Sequence, residues 1–478
     1  MTIDAAIAMN RFGLGAVPMS AAPQNAKVWL KSQLGNYNPA PASLSGQPSR
    51  ATIAAEFREY QLDRRDFRQA KKEAASANPE MTQIDPDKID KVVNTLRMRY
   101  IAAADARVNA ALATETPFAE RLVHFWSNHF AVSIDKLPVL ALAGDFEFTA
   151  IRPNIMGTFS DLLLAATTHP AMLLYLDQAQ SIGPKSPLAE RVAARRNKEL
   201  GLNENLAREI LELHTLGVRS VYSQNDVTEF ARALTGYTVG GMAKGPIQRF
   251  MAQNGKDGDS QFFAGIHEPG ERLITGKTYR QQGEAQAKAI LADLAAHPAT
   301  ARHIATKLAR HFVADVPPAA LVARLELAFL NSGGHLPAVY KALVDSPEAW
   351  APGQTKFKSP WDWVLSSLRA LNIRDFPGKD RQAVGMFAQL GQPIWRPGSP
   401  AGYADTSETW AGAAALMRRV EIANRLAERS ANRVDARNLA PLILQGQLGE
   451  TTAESIARAE SPSQGLALML LSPEFLRR

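Results

Sequence analysis

Apolar positions recur with the period of a helix along most of the chain. From Thr52 to Ala113 the text is rich in Ala, Glu, Lys, Arg and Gln, with Phe57-Arg58-Glu59-Tyr60 followed by Asp66, Arg68 and Lys71; only Ala77 to Asp87 interrupts it. Two long charged helices in a hairpin are expected. Pro117 opens a more apolar helix through Leu122, Phe125 and Trp126, and Pro153 is expected to start another, carrying Leu162, Leu163 and Leu164 into Thr168-His169-Pro170. The best-patterned helix runs from Asn203 to Leu216 and is closed by Gly217, and the next begins near Asn225-Asp226, which can cap it, and reaches Leu234.

Between Tyr237 and Tyr279 the text turns Gly-rich, with pieces such as Arg249-Phe250-Met251 and Gln261-Phe262-Phe263. This reads as a small hairpin or excursion. Helical period returns at Glu284, continues through His303 to Phe312 and Leu321 to Leu330, and recurs after Pro360; Gly391 to Tyr403, with Pro393, Pro397, Gly398, Pro400 and Gly402, forms a long irregular segment. No internal repeat is visible, which disfavours a solenoid. The expected fold class is all-α, a multi-helix globular bundle with a small β-hairpin or irregular excursion around 237–280. One domain over 1–478 is expected, with a charged hairpin at 52–113, core helices with polar stripes at 114–236, the excursion at 237–280 and a C-terminal helical part at 281–478.

Composition narrows the class. With 478 residues, 46% hydrophobic and 21% charged, the chain can bury a large core and is not of the disordered type. Its 54 basic residues exceed its 47 acidic ones, and the densest basic runs are Arg191, Arg195, Arg196 and Lys198, then Arg418, Arg419, Arg425 and Arg429. Helical spacing with apolar neighbours reads as solvated helix faces, and no aromatic residues interleave to stack bases, so nucleic acid is not an expected partner. The absence of cysteine removes disulfides, thiolate nucleophiles and cysteine-bound metals. Met1 to Pro18 lacks a signal-peptide pattern and no run of about eighteen apolar residues occurs, so the expectation is a chain without its own export signal or membrane span, cytoplasmic by default. Walker loops, Gly-x-Ser-x-Gly elbows and dinucleotide fingerprints are also missing, which moves nucleotide enzymes far down.

Two polar stripes are the candidate chemistry. Asn205, Arg208, Glu209 and Glu212 share one helix face, and Leu206, Ile210 and Leu213 another. Two carboxylates three residues apart can hold one cation, or split into one raised and one ordinary pKa, while Arg208 orients an anion; intrahelical pairing of Glu204, Arg208 and Glu212 is the alternative. Glu120, His124 and Asn128 recur at i, i+4 and i+8, with His129 turned toward the apolar side beneath Trp126. If the stripes meet, Glu120, His124, Glu209 and Glu212 would offer a divalent metal four ligands. His214 falls off the second stripe, so the Glu-x-x-His spacing of di-iron bundles is absent, and it reads as a histidine bonding the helix-end carbonyls. In the excursion His267-Glu268 precedes Pro269, so His267 either reaches over the site or serves a turn. His303 and His311 read as packing residues of a basic amphipathic helix, and His297 and His335 as turn residues.

Several strings carry a resemblance: Asn10-Arg11-Phe12-Gly13, Phe125-Trp126-Ser127-Asn128-His129-Phe130, Pro170-Ala171-Met172-Leu173, Tyr175-Leu176-Asp177, Asn203-Glu204-Asn205-Leu206-Ala207-Arg208-Glu209, Leu211-Glu212-Leu213-His214-Thr215-Leu216-Gly217, Ala231-Arg232-Ala233-Leu234-Thr235-Gly236, His267-Glu268-Pro269-Gly270, Lys307-Leu308-Ala309-Arg310-His311-Phe312 and Leu390-Gly391-Gln392-Pro393. Together they resemble the domain-of-unknown-function 1800 family over nearly the whole chain. The resemblance implies a partner, since members look paired with a sulfatase-like family, domain of unknown function 1501, that often carries an export signal; travel with it would put this chain in the periplasm. It also marks Asn128, His129, Asn205, His214 and Arg232 as further binding candidates. One departure is Asn154 after Ile151-Arg152-Pro153, where a His is expected. Two functions stay open. One is an enzyme with a carboxylate and histidine site between helices, its catalytic set Glu209, Glu212, Arg208 and His267. The other is a scaffold or escort for a sulfatase-like partner, using Gly391 to Tyr403 and Trp395 as an exposed contact surface.

Overall fold

The computed structural model describes residues 3–18, 23–76, 86–196, 201–242, 247, 256–353, 356–375 and 382–478. Helices dominate these residues, as the period predicts, and the named strands form two short antiparallel pairs. Strand β1 (Tyr237–Val239) pairs with β2 (Ser260–Phe262), and β3 (Arg272–Ile274) with β4 (Lys277–Tyr279). Thr275 and Gly276 link the second pair with φ of 48° and 80°, the positive values a tight two-residue hairpin turn needs. Arg249-Phe250-Met251 lies outside the described residues.

One hydrophobic cluster runs from Ala5 to Leu476, with a satellite of Ile182, Leu188, Ala189, Ile247 and Ile266. At its centre lies the Pro117–His129 helix, which is buried on every face except at Asn128. Its Glu120, Arg121 and His124 therefore need partners inside the protein, since a buried charge without one costs several kcal/mol or so. The Pro298–Phe312 helix runs antiparallel beside it. Phe118 meets Phe312 at 5.7 Å between ring centroids, Phe125 meets His311 at 5.3 Å, and His129 meets His303 at 6.1 Å.

The expected hairpin is formed by Arg50–Ser76 and Pro86–Ala113, tied by Arg99 to Glu56 at 2.9 Å. Ile53, Ala54, Phe57, Leu96 and Tyr100 bury its root, Met98 is exposed on the outer face there, and Leu62 is exposed farther out.

Four local expectations are corrected. Pro153 sits in a single 3-10 turn, Arg152–Asn154, and the helix of Leu162 to Leu164 begins at Phe159, where Thr158 Oγ1 accepts the Asp161 N–H. Asn203 to Leu216 is not one regular helix: Asn205–Glu209 is α, Ile210–His214 is a π-turn, and Gly217 closes it at φ 94°. The next helix, Gln224–Leu234, is capped by Ser223 reciprocally with Asp226. In the second basic run Arg418, Arg425 and Arg429 are exposed, but Arg419 is buried, donating to the Lys358 carbonyl at 2.6 Å beneath Phe357. Among the described residues no helix is long and apolar enough to cross a membrane.

Candidate functional site

The stripe on the Pro117–His129 helix is a row of inward-facing polar groups, each with a partner distant in sequence. Glu120 is bound bidentately by Arg152, with Nη2 to Oε2 at 2.6 Å. Burial pushes the Glu120 carboxyl up, and Arg152, His124 and Arg107 together outweigh it, so the net shift is downward. Trp361 Nε1 donates to His124 Nδ1 at 2.9 Å, which leaves the ring proton on Nε2, 3.4 Å from Glu120. Burial, first of all, holds His124 below the ordinary imidazole value. The Asn128 amide pairs with both backbone groups of Tyr403, at 2.9 and 2.7 Å.

One turn away a second carboxylate organises the neighbouring wall. Glu147, fully buried, accepts from Arg107 Nε at 3.0 Å, Ser127 Oγ at 2.7 Å and Trp395 Nε1 at 3.0 Å. The Arg107 guanidinium lies over Trp361 at 4.1 Å and Trp395 at 5.3 Å, a cation–π sandwich. Its two terminal nitrogens form no hydrogen bond with a described residue. Trp395 itself is in the left-handed region, φ 48°, held by its indole bond to Glu147 and by Ile134, whose N–H donates to the Trp395 carbonyl at 3.0 Å.

Arg107, His124, Ser127, Asn128 and Trp395 line a cavity of about 80 Å³ together with His311, Lys356, Trp361, Asp362, Asp405 and Arg478. His311 Nδ1 bonds to the Asp405 carboxylate at 3.1 Å. Because a carboxylate only accepts, that nitrogen carries the proton, and Nε2 of the neutral ring is a lone pair; it is buried and has no partner among the described residues. Burial lowers the His311 pKa against the opposing pull of Asp405. Lys356 Nζ reaches Asp315 at 2.9 Å and the Asp405 carbonyl at 2.6 Å, and Asp362 binds both Arg121 at 3.0 Å and Arg478 at 3.2 Å. Behind Asp362 lie buried Lys358 and Arg419. Among the lining residues three cations, Arg107, Lys356 and Arg478, thus stand against two carboxylates, Asp362 and Asp405. The surroundings favour an anion.

The family whose members are described as proteins of unknown function, DUF1800, matches residues 7–477. The chain belongs to the DUF1800 family. No curated protein and no solved structure matches it.

In this DUF1800 protein the two predicted stripes do not assemble the expected metal centre. No three of Glu120, His124, Glu209 and Glu212 converge, and among the described residues no group of three His, Asp or Glu is placed to hold a metal. The reason is that Glu120 and His124 are turned toward Arg152 and Trp361, while Glu209 and Glu212 sit on a half-buried face with Arg208. Arg208 pairs within its helix, to Glu204 at 3.0 Å and Glu212 at 3.8 Å, and binds Gln224. Burial and then the charge of Glu212 push Glu209 up. Asn205 is exposed at the helix start. His267 serves its turn: Nδ1 contacts the Thr235 carbonyl at 2.8 Å, and Glu268 caps the Lys185 N–H at 2.6 Å. Arg232 pairs with Glu229. His129 bonds the His214 carbonyl at 3.1 Å, but the His214 ring bonds no carbonyl; both its nitrogens are buried without a partner against Phe130 and His129. Asn154 bonds the Ala150 carbonyl.

Of the predicted residues, His124 and Asn128 line the cavity; Arg107, His311, Lys356, Trp361, Asp405 and Arg478 were not singled out as site residues. A signal existed for Arg107, which stands among Tyr100, Ile101, Ala103, Ala104, Val108 and Ala111 where a solvated helix face has no reason to be so apolar.

Proposed function

We propose that this DUF1800 protein binds a small oxyanion-bearing substrate in the Arg107 cavity and moves a proton on it with His311. The observation that carries the reading is the Arg107 guanidinium, clamped at Nε by Glu147 and between two indoles, with neither terminal nitrogen bonded to a described residue. A guanidinium fixed in this way has its orientation cost already met, and its two free N–H groups match the two oxygens of a carboxylate, phosphate or sulfate group. Size agrees: about 80 Å³ is well under the roughly 150 Å³ that accommodates benzene, so the cavity takes an anionic head and not an aromatic body. His311, oriented by Asp405 at Nδ1, offers Nε2 as the proton acceptor.

Titrating inorganic phosphate, and separately acetate, while following tryptophan emission tests this directly, since Trp361 and Trp395 flank the guanidinium. Saturable change is expected, weakened about 10- to 100-fold in Arg107→Lys, which keeps the charge and loses the fork. No saturable change with either anion in the wild-type protein refutes the reading. The scaffold alternative loses the aromatic anchor expected for it, because Trp395 is buried at 6% exposure and bonded to Glu147.

A further inference from the structure

The inner face of the Arg50–Ser76 helix changes character along its length. Ile53, Ala54 and Phe57 bury its root, and the same face continues as Tyr60, Gln61, Arg64, Arg65 and Arg68, where a core-facing stripe would continue with apolar residues. Across from it lie Lys136, Leu137, Pro138, Leu174 and Met242, enclosing a groove of about 620 Å³. Its floor is apolar and its rim cationic. Asp177 is the carboxylate among the lining residues, and Lys136 engages it at 2.6 Å. Arg64 is held over the Tyr60 ring and bonds its hydroxyl at 3.1 Å; Arg64, Arg65 and Arg68 are exposed. Gln61 adds a second, independent sign of a missing partner: its buried Nε2 has no hydrogen-bond partner among the described residues.

We infer that this groove docks an extended acidic segment of a partner protein. Carboxylates of the segment pair with Arg64, Arg65 and Arg68, an apolar side chain seats between Tyr60 and Leu174, and a peptide carbonyl accepts from Gln61. An extended peptide supplies all three, since its carbonyls repeat along the strand and its alternate side chains face the floor and the rim. The inference stands apart from the Arg107 cavity, with which the groove shares no lining residue.

Fluorescence anisotropy of a labelled Asp-Glu-Asp-Leu-Glu-Asp-Glu peptide on the full chain tests it. Saturable binding is expected, weakened at least tenfold in an Arg64→Glu, Arg65→Glu, Arg68→Glu protein and weakened as salt rises. Because all three side chains are exposed, that protein should keep its melting temperature. Equal affinity in the two proteins overturns the proposal, as does an absence of peptide binding, and so does binding of phosphatidylserine vesicles in place of the peptide. Gln61→Leu separates the amide's share, with a smaller loss and unchanged salt dependence expected.

Discussion

Trp361 donates its indole N–H to Nδ1 of His124 at 2.9 Å, and through that bond it decides which imidazole nitrogen faces Glu120. Trp361→Phe removes the donor and leaves Nδ1 a buried acceptor without a partner, at a cost of about 1–3 kcal/mol. The freed nitrogen can then take a proton. Imidazole nitrogen shifts in the NMR spectrum should report one fixed tautomer in the wild type and a higher His124 pKa in the variant; an unchanged ring spectrum would show that the bond does not set the tautomer.

Much of this centre was legible as a polar pattern but not as a set of partners. Glu120, His124 and Asn128 were readable as one stripe because helical period alone places them together. Their partners Arg152, Trp361 and Tyr403 come from segments separated in the sequence, and nothing local says that Glu120 will meet a guanidinium and not a second carboxylate. The helical class and the excursion follow from period and composition. By contrast, the π-turn at Ile210–His214 shifts the phase near the helix end, so a regular wheel puts Leu213 on the buried face where His214 lies instead, although Glu212 still faces Arg208. Trp395 was misread for a related reason: a Pro- and Gly-rich segment resembles a surface loop, yet here its aromatic side chain is pulled inward by Glu147.

Glu147 is expected to be among the costliest single residues of the centre. Glu147→Gln keeps the shape but leaves Arg107 as a buried charge without its counterion, an effect of about 3–5 kcal/mol, whereas Ser127→Ala removes one of three donors and should cost about 1 kcal/mol. Urea unfolding of the two variants checks the ratio. Similar losses would mean that Arg107 finds its charge balance elsewhere.

Acid should destabilise the fold through its buried histidines as pH falls below 6.5. Burial holds His129 well below the ordinary value, and holds His214 near 3 and His303 near 4, with the charge of Lys307 adding to each. All three folded values lie below the unfolded 6.5, so from pH 6.5 downward the unfolded chain binds protons that the native one refuses. Stability is full above 6.5 and falls as pH drops toward the folded values, by about 2 kcal/mol per fully buried ring at pH 5. Urea midpoints at pH 7 and pH 5 should differ accordingly, and His214→Leu should recover one ring's share. A flat profile would contradict the burial of this cluster.

Asp362 and Lys358 should respond oppositely to removal. Asp362→Asn strips the counterion from Arg121 and Arg478 and should cost about 3–5 kcal/mol. Lys358, pushed down to about 7 by burial first and by the charges of Arg121, Arg478 and Arg419 against the pull of Asp362, is a cation the interior does not favour. Because its folded value lies below its unfolded one, it weakens the fold below about pH 10 and most of all near neutrality and below. Lys358→Met should therefore be near neutral or stabilising at pH 7 and should flatten the rise in stability between pH 7 and 10. A strong loss on this substitution would reveal a role for the ammonium beyond its bond to Ser366.

Gly402 is the position through which the irregular segment is fastened over the cavity. It sits at φ 80°, and a Cβ there would lie 2.3 Å from the Asn128 carbonyl oxygen and 2.7 Å from its side-chain oxygen, neither of which can retreat without releasing Tyr403. Gly402→Ala combines left-handed strain of about 1 kcal/mol with a steric conflict, so the whole segment must shift, and Trp395 with it. Gly398, four residues earlier in the same segment, has open space around it and no positive φ, and Gly398→Ala should leave stability within about 0.5 kcal/mol of the wild type. Tryptophan emission and melting temperature measured on both variants separate a fastened segment from a loose one. If Gly402→Ala matches Gly398→Ala in both, the Asn128 clamp holds nothing in place, and the wall around Arg107 is not fixed before its ligand arrives.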